Sequence, residues 1–177
     1  GIIAINLSKG DELKWVKLSS GKDEVITPTA QGQAIRFKES QLRPMGRNAS
    51  GVKSIRLKKG DFVAGLDIMK TSEKGLGKNE KLLIVTENGF AKQTNLKEYK
   101  IQSRGGSGIK TAKISAKTGL IISAQIISDE EELLALSSKG QIIKTKIADI
   151  RTAGRATSGV RIMKLKAGDK VAGVVIL

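Results

Sequence analysis

The chain contains no histidine and no cysteine. Their absence removes every thiolate or imidazole zinc site, the Ser-His triad and the Cys-His pair. Without cysteine there are no disulfides, which fits a reducing compartment, with the cytoplasm as the default. Aromatic residues make up only 3% of the sequence, one Trp, one Tyr and three Phe, too few for a platform that stacks single-stranded bases. No apolar stretch approaches the roughly 20 residues that span a bilayer, and the start shows no basic head followed by an apolar run. Carboxylates are the acid-base chemistry left. Glu130, Glu131 and Glu132 are consecutive, but no second carboxylate cluster recurs in register, so they read as a solvated turn rather than a Mg²⁺ site. No catalytic residue and no metal site is expected in this chain.

Positive charge is what the sequence has in excess. It carries 32 Lys+Arg against 17 Asp+Glu, a formal charge of +15 over 177 residues. That balance favours a polyanionic partner, nucleic acid before anionic membrane.

The charge is ordered by a glycine ladder. Gly1, Gly51, Gly108 and Gly159 stand at spacings of 50, 57 and 51 residues. A second register runs through Gly32, Gly89 and Gly140, and a third through Gly10, Gly60 and Gly168. Aligned on the ladder, Arg47, Arg104 and Arg155 form one basic column, and Arg43, Lys100 and Arg151 a second. Lys53, Lys110 and Arg161 form a third, and Arg56, Lys113 and Lys164 a fourth. Solvated charge needs no such period, whereas phosphates at regular spacing make use of it. Lys92 and Lys144, on the apolar hairpins, complete the candidate set.

Each repeat opens on a hairpin pattern. Leu82-Leu83-Ile84-Val85 runs through Asn88-Gly89 into Phe90-Ala91-Lys92-Gln93-Thr94, and Leu133 to Leu136 runs through Lys139-Gly140. Val25-Ile26 leads to Gly32 in the first copy, with Pro28 near the tip shortening its first strand. A second hairpin is expected around the Gly-Asp pairs at Gly10, Gly60 and Gly168, where apolar residues alternate with cations. Lys70 to Lys81 reads as a solvated connector. Four strands in some 50 residues, with almost no helical pattern, predict an all-β, propeller-like fold.

In Arg104-Gly105-Gly106-Ser107-Gly108 the glycines are assigned to structure and the cations to binding. The motif lacks the Lys-Ser/Thr ending of a Walker loop. Together with Asn88-Gly89-Phe90-Ala91-Lys92-Gln93-Thr94 and Glu98-Tyr99, it resembles the C-terminal domain of DNA gyrase A. Arg43-Pro44-Met45-Gly46-Arg47-Asn48-Ala49-Ser50-Gly51-Val52 and Gly154-Arg155-Ala156-Thr157-Ser158-Gly159-Val160 are similar to later repeats of that family. The family's wrapping box reads Gln-Arg-Arg-Gly-Gly-Lys-Gly, and here Ser103 and Ser107 replace two of its cations. Gln102–Gly108 is therefore expected to be a later-blade echo, with the box itself upstream.

The resemblance implies a β-pinwheel, a propeller variant that exchanges strands between blades. About three complete four-stranded blades and part of a preceding one are expected: 1–23 the end of one blade, 24–72, 73–127 and 128–177 the rest. It implies a non-sequence-specific duplex DNA binding and wrapping module of an ATP-dependent type II topoisomerase. The remainder of gyrase A, together with gyrase B, would be its partners, and ATP and Mg²⁺ would bind elsewhere in the parent enzyme. Tyr99, the only tyrosine, is expected to pack with its hydroxyl at the surface. The corresponding domain of topoisomerase IV is the alternative within the class. A repeat scaffold for an acidic protein is the alternative outside it.

Overall fold

The computed structural model describes residues 1–70, 80–128 and 130–177. Most of the connector read at Lys70–Lys81 lies outside the described residues. Leu82-Leu83-Ile84-Val85 sits in one strand, where successive side chains face opposite sides. Leu82 and Ile84 enter a core with Ile26, Ala34, Met69 and Tyr99. Leu83 and Val85 enter a different core with Leu133, Ala135, Ile147 and Met163. Burial on both faces explains a continuous apolar run in place of alternation. Each core thus lies between two consecutive repeats, and each buried aliphatic side chain in it contributes about 1.5–3 kcal/mol.

Three hairpins set the frame. β1 (Glu24–Pro28) pairs with β2 (Gln33–Lys38), and β3 (Asp67–Met69) lies on the other side of β1. In the next repeat β4 (Lys81–Thr86) pairs with β5 (Phe90–Asn95). A short strand and a longer one follow, β6 (Ile109–Lys110) and β7 (Ile121–Ile127), of which β7 pairs with β4. The last repeat has β8 (Glu132–Ser137), β9 (Ile142–Lys146), β10 (Val160–Arg161) and β11 (Val171–Ile176), with β8 central to β9 and β11. All these pairings are antiparallel.

The sheets do not follow the repeats. β6 pairs with β2 of the preceding repeat, placing Ile109 opposite Ala34. β10 pairs with β5 in the same register, Val160 opposite Ala91. The sheet orders are therefore β3-β1-β2-β6, β10-β5-β4-β7 and β11-β8-β9, the last with three strands among the described residues. The ladder glycines make this exchange possible. Gly108 has φ +70°, and a Cβ there would stand 2.6 Å from the Ala34 carbonyl oxygen. Gly159 has φ +81° and is pressed against the Ala91 carbonyl in the same way.

This exchange corrects the second hairpin expected from sequence. The Gly-Asp turns do form, with Asp61 N donating to Lys58 O and Asp169 N to Lys166 O, both at 3.0 Å. Their arms do not pair with each other. Before Asp169 the arm supplies β10 to the neighbouring repeat's sheet and the arm after it returns as β11 to its own, whereas of the Asp61 arms only the later one, β3, joins a sheet. The turn aspartate also caps the first hairpin's tip: Asp61 accepts from Gln31 N at 2.9 Å and Asp169 from Lys139 N at 3.0 Å. Residues 1–20 contribute no strand. Among the described residues no helix is long and apolar enough to cross a membrane.

Candidate nucleic-acid interface

The basic loops are stitched to one another across repeat boundaries. Arg104 Nη1 donates to the carbonyl of Lys53 at 2.5 Å, and Arg155 Nη1 to that of Lys110 at 2.9 Å. Arg47 Nη1 reaches Ile3, in the same register, at 3.4 Å. The main chain follows the same rule: Arg56 N donates to Gly106 O at 2.8 Å, Lys113 N to Thr157 O at 3.0 Å, and Asn6 N to Ala49 O at 3.2 Å. Each arginine loop is thus seated on the stretch of the preceding repeat that carries the next two basic columns.

The consequence is two composite clusters. Arg104 is brought beside the backbone of Lys53 and Arg56, and Arg155 beside that of Lys110 and Lys113. Lys53, Arg56, Lys110 and Lys113 are exposed, and the two loop arginines are half-buried. A guanidinium that spends one nitrogen on a carbonyl keeps its planar fork in a fixed orientation, which is how arginine grips phosphate. Arg43, Lys100, Arg151 and Lys164 are exposed as well. Arg161 is exposed and its guanidinium lies 5.2 Å from the Phe90 ring centroid. Lys117, which sequence reasoning did not single out, sits 5.5 Å from the same ring.

Two candidates fall elsewhere. Lys92 is 1% exposed, and its Nζ donates to Gly154 O at 2.9 Å and Arg155 O at 2.6 Å. It supports a basic loop from inside and offers no charge to a ligand in this conformation. Burial depresses its pKa to about 8, with Glu98 acting against that shift and Arg155 adding to it. Lys144 lies on β9 and pairs with Glu132 at 2.5 Å, so part of its charge is spent on the sheet. Among the described residues, none of the other candidates forms an ion pair.

Tyr99 also departs from expectation. It is buried, and its hydroxyl shares a hydrogen bond of 2.5 Å with Thr111 Oγ1 rather than reaching the surface. Burial is the main cause that raises its pKa to about 12. The adjacent turn carries two positions the sequence reading missed. Gln41 Oε1 accepts from Arg104 N at 2.7 Å, and Glu98 Oε2, in the same register, accepts from Arg155 N at 3.1 Å. Their signal was the shared register ten residues before the ladder glycine.

Comparison with known proteins gives a consistent set of likenesses. Residues 1–20, 23–68, 80–128 and 131–177 match the DNA gyrase C-terminal domain, beta-propeller, family. The DNA gyrase A protein of Staphylococcus epidermidis is 44% identical over 174 residues, covering 98% of this chain and 19% of that protein. Its Staphylococcus aureus counterpart is 42% identical over 165 residues, covering 93% of this chain and 18% of that protein. This chain therefore spans about a fifth of the length of those curated relatives. A solved DNA gyrase A C-terminal domain superposes with TM-score 0.87 at 26% identity, over 99% of this chain and 58% of that one. The C-terminal domain of DNA topoisomerase IV gives TM-score 0.88 at 26% identity, over 98% of this chain and 52% of that one.

Proposed function

Because this chain belongs to the DNA gyrase C-terminal domain family, we propose that it binds duplex DNA without sequence preference and helps to wrap it. The observation that carries this reading is the repeated arginine-to-carbonyl stitch, which joins cations of successive repeats into clusters along the molecule. Phosphates are the chemistry that uses such spacing, since backbone contacts carry affinity while base contacts carry sequence. Bending a short duplex costs on the order of 1–6 kcal/mol, which several charged contacts offset together.

In this reading the segment serves a type II topoisomerase whose DNA cleavage and ATP turnover belong to other segments of gyrase A and to gyrase B. It would act in the cytoplasm, where such a DNA substrate is found. The curated relatives at 44% and 42% identity are gyrase A proteins, which favours gyrase over topoisomerase IV. Tyr99 supports a non-catalytic assignment for the segment, being buried and bonded to Thr111.

The test is duplex binding across a salt series. Neutralising about 6–10 phosphates gives log K falling with log salt at a slope of roughly −5 to −9. Affinity that also rises with duplex length, equally for unrelated sequences, supports wrapping. A slope near zero, or binding to one short sequence alone, overturns it. Binding indifferent to duplex length favours the scaffold for an acidic protein.

A further inference from the structure

Lys92 is the one candidate cation turned inward, and it is buried beneath a basic loop of the next repeat. Its Nζ donates to the carbonyls of Gly154 and Arg155 and lies 3.4 Å from Thr157 Oγ1. The three protons of an ammonium thus meet three oxygens of a single loop. That loop is the one seated on the preceding repeat through Arg155 Nη1 to Lys110 O at 2.9 Å and Lys113 N to Thr157 O at 3.0 Å. Glu98 holds its other side through Arg155 N at 3.1 Å.

The neighbouring basic loop is supported differently. In the register of Lys92 the preceding repeat has Ile35, which is fully buried. The carbon of Ile35 nearest that loop would stand 3.6 Å from a Cβ on Gly106. An apolar side chain therefore underlies Arg104-Gly105-Gly106-Ser107, and a charged donor underlies Gly154-Arg155-Ala156-Thr157. Among the described residues, no carboxylate touches the Lys92 ammonium. Glu98 on the adjacent turn and Arg155 on the loop are the charged groups that face it.

Resting on the DNA-binding reading above, we infer that Lys92 is a positioning residue: its ammonium fixes the Gly154–Thr157 loop so that Arg155 faces phosphate, without itself touching DNA. A buried cation in this place carries a cost, because its charge has left water for carbonyl dipoles. An apolar residue such as Ile35 shows that the fold does not require it. What the ammonium adds is order in a loop that lacks the double glycine of its neighbour. Because burial lowers its pKa to about 8, the amine loses one of three donated protons just above neutral pH, and the loop loosens.

The experiment is a double-mutant comparison on this chain, read by fluorescence anisotropy with a labelled duplex. Lys92→Met is expected to weaken binding about tenfold. In that background Arg155→Ala should cost little more, while Arg104→Ala should keep its full cost. An Arg155→Ala loss that is the same in both backgrounds overturns the inference. The milder variant Lys92→Gln, together with wild type, covers the case in which Lys92→Met does not fold. Wild-type affinity at constant salt should fall by about threefold from about pH 7 to about pH 9, and this step should vanish in Lys92→Gln. A wild-type profile identical to that of the variant overturns it. If wild type binds no duplex at low salt, the DNA reading fails separately. The loop assignment is then decided by amide exchange at Arg155 and Thr157: faster in Lys92→Gln supports it, unchanged exchange refutes it.

Discussion

Arg36 and Tyr99 belong to successive repeats, and the Arg36 guanidinium donates to the Tyr99 carbonyl at 2.8 Å. The same nitrogen reaches Leu96 O at 3.3 Å, and Glu24 holds the other side of the guanidinium at 2.5 Å. One repeat later Gln93 Nε2 repeats the contact with Ile147 O at 2.6 Å and Ile150 O at 2.7 Å. A polar side chain at one hairpin position therefore fastens two of the 3-10 turns (Leu96–Glu98, then Ile147–Asp149) to the repeat before each.

These clamps should dominate the polar contribution to stability. Removing one partner of a buried ion pair costs about 3–5 kcal/mol, so Arg36→Ala is expected to lower the urea midpoint sharply. Gln93→Ala removes a donor from two carbonyls, of which Ile147 O keeps Ile150 N at 3.0 Å, a loss of about 1–3 kcal/mol. Glu24→Ala combined with Arg36→Ala should cost less than the sum of the two single changes.

Arginine at the stitched positions should not be replaceable by lysine. Arg104→Lys with Arg155→Lys keeps the net charge but gives up the planar fork. Duplex affinity is expected to fall by roughly tenfold at constant salt. Arg47→Lys should cost less, since its stitch to Ile3 is long at 3.4 Å. Anisotropy titrations of the three proteins decide this.

Two glycines with almost the same backbone angle should tolerate alanine differently. Gly140 has φ +82° and Gly159 φ +81°. A Cβ at Gly140 meets open space, while at Gly159 it collides with the Ala91 carbonyl. Gly140→Ala is expected to cost about 1–2 kcal/mol from the backbone alone, and Gly159→Ala about 3–4 kcal/mol. Equal unfolding midpoints for the two would contradict the strand-exchange packing.

Stability should rise and then fall in the alkaline range. Lys92 has a folded pKa of about 8, below the ordinary lysine value of about 10.4. Between those values the unfolded chain binds more protons, so raising pH stabilises the fold. Tyr99 is shifted the other way, up to about 12, so its contribution is fully present below about pH 10 and is lost as pH rises from there to about 12. Urea denaturation from neutral pH upward should show the rising limb in wild type and not in Lys92→Met, with the falling limb in both.

The hairpins and the glycine registers were legible because period two, turn residues and positive φ all leave marks in a single sequence. The exchange of β6 and β10 was expected from the family resemblance alone and left no mark in the local pattern. Each has two residues, too few to show alternation, and each pairs with a strand of the previous repeat rather than with its sequence neighbour. The column of Arg56, Lys113 and Lys164 was legible as surface because each of these cations stands between two apolar residues. Lys92 escaped because its partners are backbone carbonyls, which no residue type announces. Tyr99 escaped for a related reason: its hydroxyl is satisfied by Thr111, a partner recognisable only once the chain has folded back.

The pairing of β6 with β2 and of β10 with β5 separates the unit of inheritance from the unit of folding. A duplication that copies one repeat, glycine to glycine, delivers a hairpin without its outer strand and an outer strand without its hairpin. Only between two neighbours does either piece find its mate. A recombination event that deleted one repeat would rejoin compatible edges and leave a shorter but continuous molecule. Arrays built this way can change length in whole steps while the pairing between neighbours is kept, so the reach of the cationic surface is free to vary by increments of one repeat.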